Sequence, residues 1–336
     1  MASDWKKAIT VLLHKKGDKQ DLNNYRPTAL LSQTYKLLSR ILVRRLTNKM
    51  EMHLTHEHAG FRRNYSTIDH LLTVKVLIEK ANEYHLPLYV ALVDYEKAFD
   101  SVETWAIREA LWNSRVDSRY MDLIDHIYEE MQTSFQLQLQ TQPIKIYRGV
   151  RQGDPLSPKL FIIALEAMFK KLEWEMKGIN INGSYLSHLK YADDIILFSQ
   201  SSTELQEMVQ EMHVASQRIG LQMNISKTKI MTNTGENIDI NINGERLEQV
   251  EEYIYLGQKI KLNRENQEAE MVRRIKLSWA AFGKLRDILE NKKLAQHQKT
   301  RVFDMCVLPV MTYGSQTWTM TKRNMDRLIR TQRAME

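Results

Sequence analysis

The sequence predicts a mixed α+β protein. Stretches with apolar residues three and four positions apart alternate with short continuous apolar runs along all 336 residues. No internal repeat, low-complexity tract or long Gly/Ser/Pro linker interrupts that alternation. Helix-start signals, a small polar or acidic residue followed three positions later by Glu or Gln, precede two of the periodic stretches.

Taken in order, residues 35–50 read as a helix with Leu37, Leu38, Ile41, Leu42 and Leu46 on its apolar stripe. Lys36, Arg40 and Arg44 recur on another face, which is either simply solvated or meets phosphates. Leu88 to Val93, after Pro87, is a continuous apolar run and reads as a buried strand ending at Asp94. Asp100 and Glu103 form a capping-box pattern, so a helix is expected from about Ser101. Ser157 before Pro158 marks another helix start, with the helix running to about Met176 and Leu160, Phe161, Ala164, Ala167, Met168 and Leu172 inward. Residues 186–199 read as two short strands joined in a tight hairpin at Ala192-Asp193-Asp194. Thr203 with Gln206 suggests a capping box for a helix lined by Leu205, Met208, Val209, Met212 and Ile219 and stopped by Gly220. Beyond residue 261 the pattern is mainly helical, with Met271, Ile275, Trp279, Phe282 and Leu285 on one face.

Composition narrows the function classes. Hydrophobic residues make up 43% and charged residues 26%, the balance of an ordinary globular protein. No run approaches the ~18–20 apolar residues of a membrane span, and the first ten residues, MASDWKKAIT, lack the apolar core of a signal peptide. The single cysteine, Cys306, excludes an internal disulfide framework. An intracellular location, nucleus or cytoplasm, and no membrane partner are expected. Net charge is +7, but its distribution says more: residues 1–80 carry 15 Lys and Arg against 7 acids, residues 81–260 carry 17 against 26, and residues 261–336 carry 16 against 8. Basic flanks suit phosphate backbones, and an acidic centre suits divalent cations.

Three stretches carry the chemistry: Ala91-Leu92-Val93-Asp94-Tyr95-Glu96-Lys97-Ala98-Phe99-Asp100, then Gly149-Val150-Arg151-Gln152-Gly153-Asp154-Pro155-Leu156-Ser157-Pro158, then Tyr191-Ala192-Asp193-Asp194. Phosphoryl transfer asks for positioning and charge stabilisation more than for covalent work by the protein. Two metal ions about 3.5–4 Å apart serve it, and hard ions prefer carboxylate oxygens. One aspartate at a strand end and two in a hairpin turn could form such a clamp, although spacing alone does not bring them together. His53, His56 and His58 cluster without a cysteine, so no zinc site is expected there.

In this order the three stretches resemble palm motifs A, B and C of reverse transcriptases, especially those of non-LTR retrotransposons of the RTE-like and related groups. Asn24-Tyr25-Arg26-Pro27 resembles the fingers motif, and Ala59-Gly60-Phe61-Arg62 with Ser66-Thr67 the segment after it. Gly220-Leu221 with Asn224, Lys227 and Thr228 resembles motif D, and Tyr255-Leu256-Gly257 resembles motif E, the primer grip. Leu308-Pro309-Val310 with Tyr313-Gly314 and Trp318 resembles the region after the thumb. His58 stands where such elements often have glutamine, and Thr28-Ala29 replaces a usual Ile-Ser pair.

The resemblance implies a right-hand polymerase: fingers in residues 1–88, a palm of antiparallel sheet on helices in 89–260 with a fingers insertion at about 101–144, and a helical thumb with a truncated continuation in 261–336. It implies an RNA-directed DNA polymerase, a nucleotidyltransferase, with an RNA template, a DNA primer, dNTPs and two Mg²⁺ ions, Mn²⁺ being an alternative. Asp94 and Asp193 would be the principal metal ligands, with Asp194 in support and the Tyr95 carbonyl as a backbone ligand. Phe99 matches the steric gate against a ribose 2′-OH, and Gln152 the glutamine bordering the incoming nucleotide. Arg26 and Lys15 match fingers residues that grip the triphosphate. Lys227 is either a proton donor to departing pyrophosphate or a surface lysine; Asp100 is expected to cap a helix and Asp154 to be structural. Family members carry an upstream endonuclease domain that this chain has no room for, so an excised domain or a truncated copy is expected. The alternatives are a non-catalytic nucleic-acid-binding remnant and a host-adapted reverse transcriptase in RNA processing or repair.

Overall fold

A computed structural model describes residues 3–15 and 17–335. In chain order, the first elements are β1 (Lys7–His14), β2 (Tyr25–Leu30), α1 (Gln33–Glu51), α2 (Thr67–Glu83), β3 (Tyr89–Val93), α3 (Ala98–Ser101), α4 (Thr104–Asn113), α5 (Ser118–Tyr128), β4 (Gln132–Phe135) and β5 (Ile144–Lys145). Then come α6 (Ser157–Phe169), β6 (Ile179–Ile181), β7 (Ser184–Leu186), β8 (His188–Tyr191), β9 (Asp194–Ser199), α7 (Ser202–Arg218) and β10 (Lys229–Thr232). The rest are β11 (Asn241–Ile242), β12 (Glu245–Arg246), β13 (Glu248–Gln249), β14 (Glu252–Tyr255), β15 (Gln258–Lys261), α8 (Asn266–Lys284), α9 (Arg286–Leu289), α10 (Gln296–Cys306), α11 (Leu308–Thr312) and α12 (Lys322–Met335). The α+β expectation holds. Among the described residues no helix is long and apolar enough to cross a membrane.

The chain packs as two compact units. The first takes the chain up to Tyr65, then Val90–Lys229 and Asp239–Glu248; the second takes Ser66–Tyr89, Ile230–Ile238 and the chain from Gln249 on.

In the first unit, one sheet runs β2-β1-β4-β5. β1 and β2 pair antiparallel from Ile9↔Leu30 to His14↔Tyr25, and β4 adds parallel to β1 from Lys7↔Gln132 to Thr10↔Phe135. In a second sheet β8, β9 and β3 are neighbours. Every residue of β3 is buried, which explains its unbroken apolar sequence. α6 is the central helix: Leu160, Phe161, Ile162 and Leu165 have no exposed surface, and a helix apolar on all sides must be enclosed on all sides. α1, α4 and α7 pack against it.

In the second unit, the antiparallel hairpin β14–β15 packs with α8. Phe303, Val307, Met311 and Met335 form its helical core, with Phe282, Leu285, Leu289, Leu308 and Leu328 against it. α2 begins at a full capping box: the Ser66 side chain accepts from backbone in the first turn and the Asp69 carboxylate accepts from Ser66 N.

Several local expectations shift. α1 buries Tyr35, Ser39, Leu42, Leu46 and Met50, while Leu37 and Ile41 are exposed. The face is turned because the Tyr35 and Ser39 hydroxyls donate to the buried Asp154 carboxylate, which also accepts from Leu156 N. The helix after Asp100 does not start at Ser101: Ala98–Ser101 is a single turn, Val102 breaks it in extended conformation, and α4 starts at Thr104 with no side-chain cap from Glu103. α6 is flanked by Leu156, not capped by Ser157, and ends at Phe169, because the chain turns back to set Trp174 edge-on against Phe169 and donate its Nε1 to Glu211. Ser201 caps α7, and Gln206 instead pairs through its amide with the backbone of Asn241. On α8 the buried side chains are Glu270, Met271, Arg274 and Ser278, and Trp279 faces solvent.

Candidate active site

The three aspartates come together in the first unit because β3 and β9 are sheet neighbours. Asp94 stands at the end of β3; Asp193 sits in the two-residue turn between β8 and β9, and Asp194 opens β9 opposite Tyr191. Ala192 takes φ +57, a left-handed conformation at the turn position where Gly is favoured. The turn is held from behind, where Gly60 lies so close that a Cβ there would stand 2.3 Å from Ala192 N. Ala59 N donates to Lys190 O, and Lys190 N to Glu57 O, so residues 57–60 run along β8.

Electrostatics register the convergence. Burial first, then the charge of Asp94, raises the Asp193 pKa, while Arg26 and Lys15 are near enough to pull it down. Asp194 is exposed by surface area, yet enough protein surrounds its carboxyl to push its pKa up to about 6, with the charges of Asp193 and Asp94 adding to the effect of burial. Oδ2 of Asp94 is buried and accepts no hydrogen bond; its nearest cation is the largely exposed Lys227 ammonium at 3.3 Å. Among the described residues no three His, Cys, Asp or Glu side chains already stand in the close array of a metal centre. The donor set nonetheless fits a hard cation: hard carboxylate oxygens, mutual repulsion, and an Asp94 oxygen without a hydrogen-bond donor.

Asp94 is held by the segment carrying Lys227. Asn224 N donates to Asp94 O at 2.8 Å, Asp94 N donates to the buried Thr228 hydroxyl at 3.4 Å, and Tyr95 bridges antiparallel to Met223. Glu96 N donates to Gln222 O, so neither backbone bond of this bridge uses the Tyr95 carbonyl. The Tyr95 ring is buried, which raises its hydroxyl pKa above the ordinary value.

Phe99 stacks on Phe161 with ring centroids 4.6 Å apart and meets Phe61 edge-on at 6.0 Å. Gln152 donates from Nε2 to both Asp100 oxygens at 3.2 Å, and its carbonyl accepts from Ala29 N on β2. Asp100 is therefore a partner of Gln152 and not a helix cap. Burial raises its pKa against the pull of the Gln152 bond and of Lys97 and Lys15. Gly149 (φ +86) and Gly153 (φ +108) are required where they stand, since a Cβ would lie 2.5 Å from Asp100 O and 2.7 Å from Ala29 O respectively. Lys15 and Arg26 are both exposed and lie at the same end of the β1–β2 pairing, where Leu13 pairs with Arg26 and His14 with Tyr25. Sequence reasoning missed Asp100 and Phe61 as site residues. Each lay inside a recognised motif, but a motif does not say which neighbour its side chain touches.

Beneath β8 lies a buried charge cluster. Lys190 Nζ is 2.9 Å from Glu166 Oε2 and 4.4 Å from the centre of the Phe169 ring; His58 Nδ1 is 3.7 Å from the same Glu166 oxygen. Burial alone would raise the Glu166 carboxyl, but His58 and Lys190 outweigh it and hold it well below the usual range. His58 is thus a buried neighbour of the Lys190–Glu166 pair, and burial lowers its pKa.

Residues 13–260 match the model of the family described as reverse transcriptase (RNA-dependent DNA polymerase). The chain is 32% identical over 205 residues to the Retrovirus-related Pol polyprotein from type-1 retrotransposable element R2 of Popillia japonica, covering 60% of this chain and 28% of that protein. It is 24% identical over 342 residues to the RNA-directed DNA polymerase from mobile element jockey of Drosophila melanogaster, covering 95% of this chain and 36% of that protein. This chain therefore spans about a third of each of these relatives. Among solved structures, apo telomerase from Candida tropicalis shares the fold, with a TM-score of 0.58 at 13% identity over 96% of this chain and 61% of that one. The match over more than half of its length places the chain in the reverse transcriptase family.

Proposed function

We propose that the chain acts as an RNA-directed DNA polymerase of a non-LTR retrotransposon, adding dNTPs to a primer 3′-hydroxyl on an RNA template. The observation that carries this is the convergence of Asp94, Asp193 and Asp194 into one group of mutually repelling carboxylates. Asp94 and Asp193 would hold two Mg²⁺ ions, or Mn²⁺ in their place, with Asp194 and the Tyr95 carbonyl in support. Bound there, such ions would supply activation of the attacking hydroxyl and charge neutralisation at the leaving pyrophosphate. The protein's own groups do the rest. Arg26 and Lys15, whose charges reach Asp193, grip the triphosphate. Phe99, backed by Phe161, closes the space that a ribose 2′-OH would need. Gln152, its amide nitrogen held by Asp100, borders the incoming nucleotide. Lys227, beside Asp94, supplies a proton to the departing pyrophosphate.

In this reading residues 1–88 are fingers, 89–260 palm with a fingers insertion at about 101–144, and 261–336 thumb. Support for the insertion comes from β4, which joins the sheet of β1 and β2. Primer extension of oligo(dT) on poly(rA) with Mg²⁺ tests the proposal. Extension by the unaltered chain, abolished by Asp193→Ala with primer–template binding retained, is expected. Binding without extension across varied metal and salt would leave the non-catalytic reading instead.

A further inference from the structure

The second unit contains an arrangement that the polymerase motifs do not account for. The β14–β15 hairpin closes through Leu256 (φ +45) and Gly257 (φ +78), a two-residue turn with both positions left-handed. Its two carbonyls are taken up by side chains from distant parts of the chain. The Tyr313 hydroxyl donates to Leu256 O at 2.8 Å. Arg273 donates to Gly257 O at 3.1 Å, and Arg274 Nη2 donates to the same oxygen.

These donors are themselves fixed. Arg274 stacks over the Tyr313 ring at 4.5 Å and donates from Nε to Glu270 at 2.5 Å. Glu270 is fully buried and its other oxygen accepts from Lys259 N on β15 at 2.7 Å. The Thr67 hydroxyl lies 3.1 Å from the Tyr313 hydroxyl. The strand of chain after Tyr313 is stitched down as well: Gln267 pairs with both backbone groups of Thr319, and Lys75 donates to Thr317 O. A residue set spread over α2, α8 and the segment 313–319 thus grips one two-residue turn.

We propose that Tyr313, with Arg274 behind it, is a positioning residue that sets the orientation of the hairpin tip for the phosphate backbone of the primer strand. The proposal rests on the reading of Tyr255-Leu256-Gly257 as a primer-gripping hairpin. In a trans peptide the N–H points opposite to the C=O, so drawing Leu256 O toward Tyr313 turns Gly257 N–H away from it. An outward backbone N–H is a phosphate donor, and such contacts set register without reading sequence. Freed from its two clamps, the tip would present that donor in several orientations. Tyr313 lies in the Tyr-Gly pair after α11, so this gives a role to a motif that the polymerase chemistry leaves unused.

Tyr313→Phe removes one hydroxyl and keeps the ring under Arg274. Steady-state extension should then show a KM for primer–template raised about threefold to tenfold, the factor one hydrogen bond carries. The KM for dNTP should stay within about twofold. An unchanged primer KM would overturn the proposal, whatever happens to the melting temperature. Gly257→Asp is the companion variant: Asp tolerates positive φ, and it places a negative charge on the tip, whose Cβ would meet nothing nearer than the Tyr313 ring at 3.6 Å. If Gly257→Asp weakens primer binding while Tyr313→Phe does not, the clamp alone is wrong. If neither does, the primer-grip reading falls and takes the clamp with it.

Discussion

Phe99 shows what one side chain gains from its neighbours. In sequence it is a phenylalanine five residues after Asp94; in the structure it is held between Phe161 and Phe61, one ring stacked and the other edge-on. A gate must not yield, and two aromatic contacts restrict the ring's motion. Phe99→Ala is expected to raise the use of ribonucleotides relative to dNTPs by roughly tenfold or more, the scale on which a lost steric clash changes selectivity. The ratio of kcat/KM for rNTP and dNTP measures it; an unchanged ratio would remove Phe99 from the gate. Gln152 shows the same point for polarity. A carboxylate only accepts, so Asp100 fixes which end of the Gln152 amide it receives and turns the Oε1 end elsewhere. The motif residues were legible as residue types, whereas these pairings were not.

At the scale of elements, the β8–β9 hairpin is supported from below by charge. Lys190 is one residue before Tyr191, and its side chain points into the core against Glu166 and Phe169. Lys190→Met would leave the Glu166 carboxylate buried without its ammonium partner and should cost about 3–5 kcal/mol, read from urea unfolding. A loss below about 1 kcal/mol would show that the pair is not needed. The same cluster makes stability depend on pH. Burial pushes the pKa of His188 well below its ordinary value and lowers that of His58. Below about pH 6.5 the unfolded chain binds protons that these folded histidines refuse, so stability falls as pH drops through that range. Glu166 adds in the same direction: its lowered pKa contributes stability that is present above the ordinary carboxylate range and lost on acidification toward its folded value. The urea midpoint should therefore decline steadily from pH 7 to pH 5, and a flat profile would contradict the neutral buried histidines.

At the scale of the whole molecule, charge is unevenly placed along the chain. Residues 1–80 and 261–336 each carry an excess of basic residues, and the stretch between them an excess of acidic ones. On α1, Arg40 and Arg44 are exposed beside the apolar Leu37 and Ile41. If phosphate contacts dominate binding, the affinity for primer–template should fall linearly in log–log terms with salt, by about 0.9 per phosphate neutralised on a duplex. Between 50 and 200 mM salt a loss of roughly a hundredfold or more is expected, measured by fluorescence anisotropy. A slope near zero would mean that the basic flanks are solvated surface and no more.

The sequence by itself determined the α+β class, the buried strand before Asp94, the hairpin at Ala192-Asp193 and the stop at Gly220, because periodicity, burial and turn chemistry are local and the chain states them directly. It also marked the acids and glycines through their resemblance to polymerase motifs. Only the tertiary structure decided that β3 lies beside β9, and so that carboxylates far apart in the chain repel one another. It alone turned α1 so that Tyr35 and Ser39 meet Asp154, assigned Asp100 to Gln152, and closed Tyr313 and Arg274 on the Leu256-Gly257 turn. The reason is physical: each of these is a contact between elements, and which faces meet depends on packing summed over the whole unit, a quantity no short window of sequence contains.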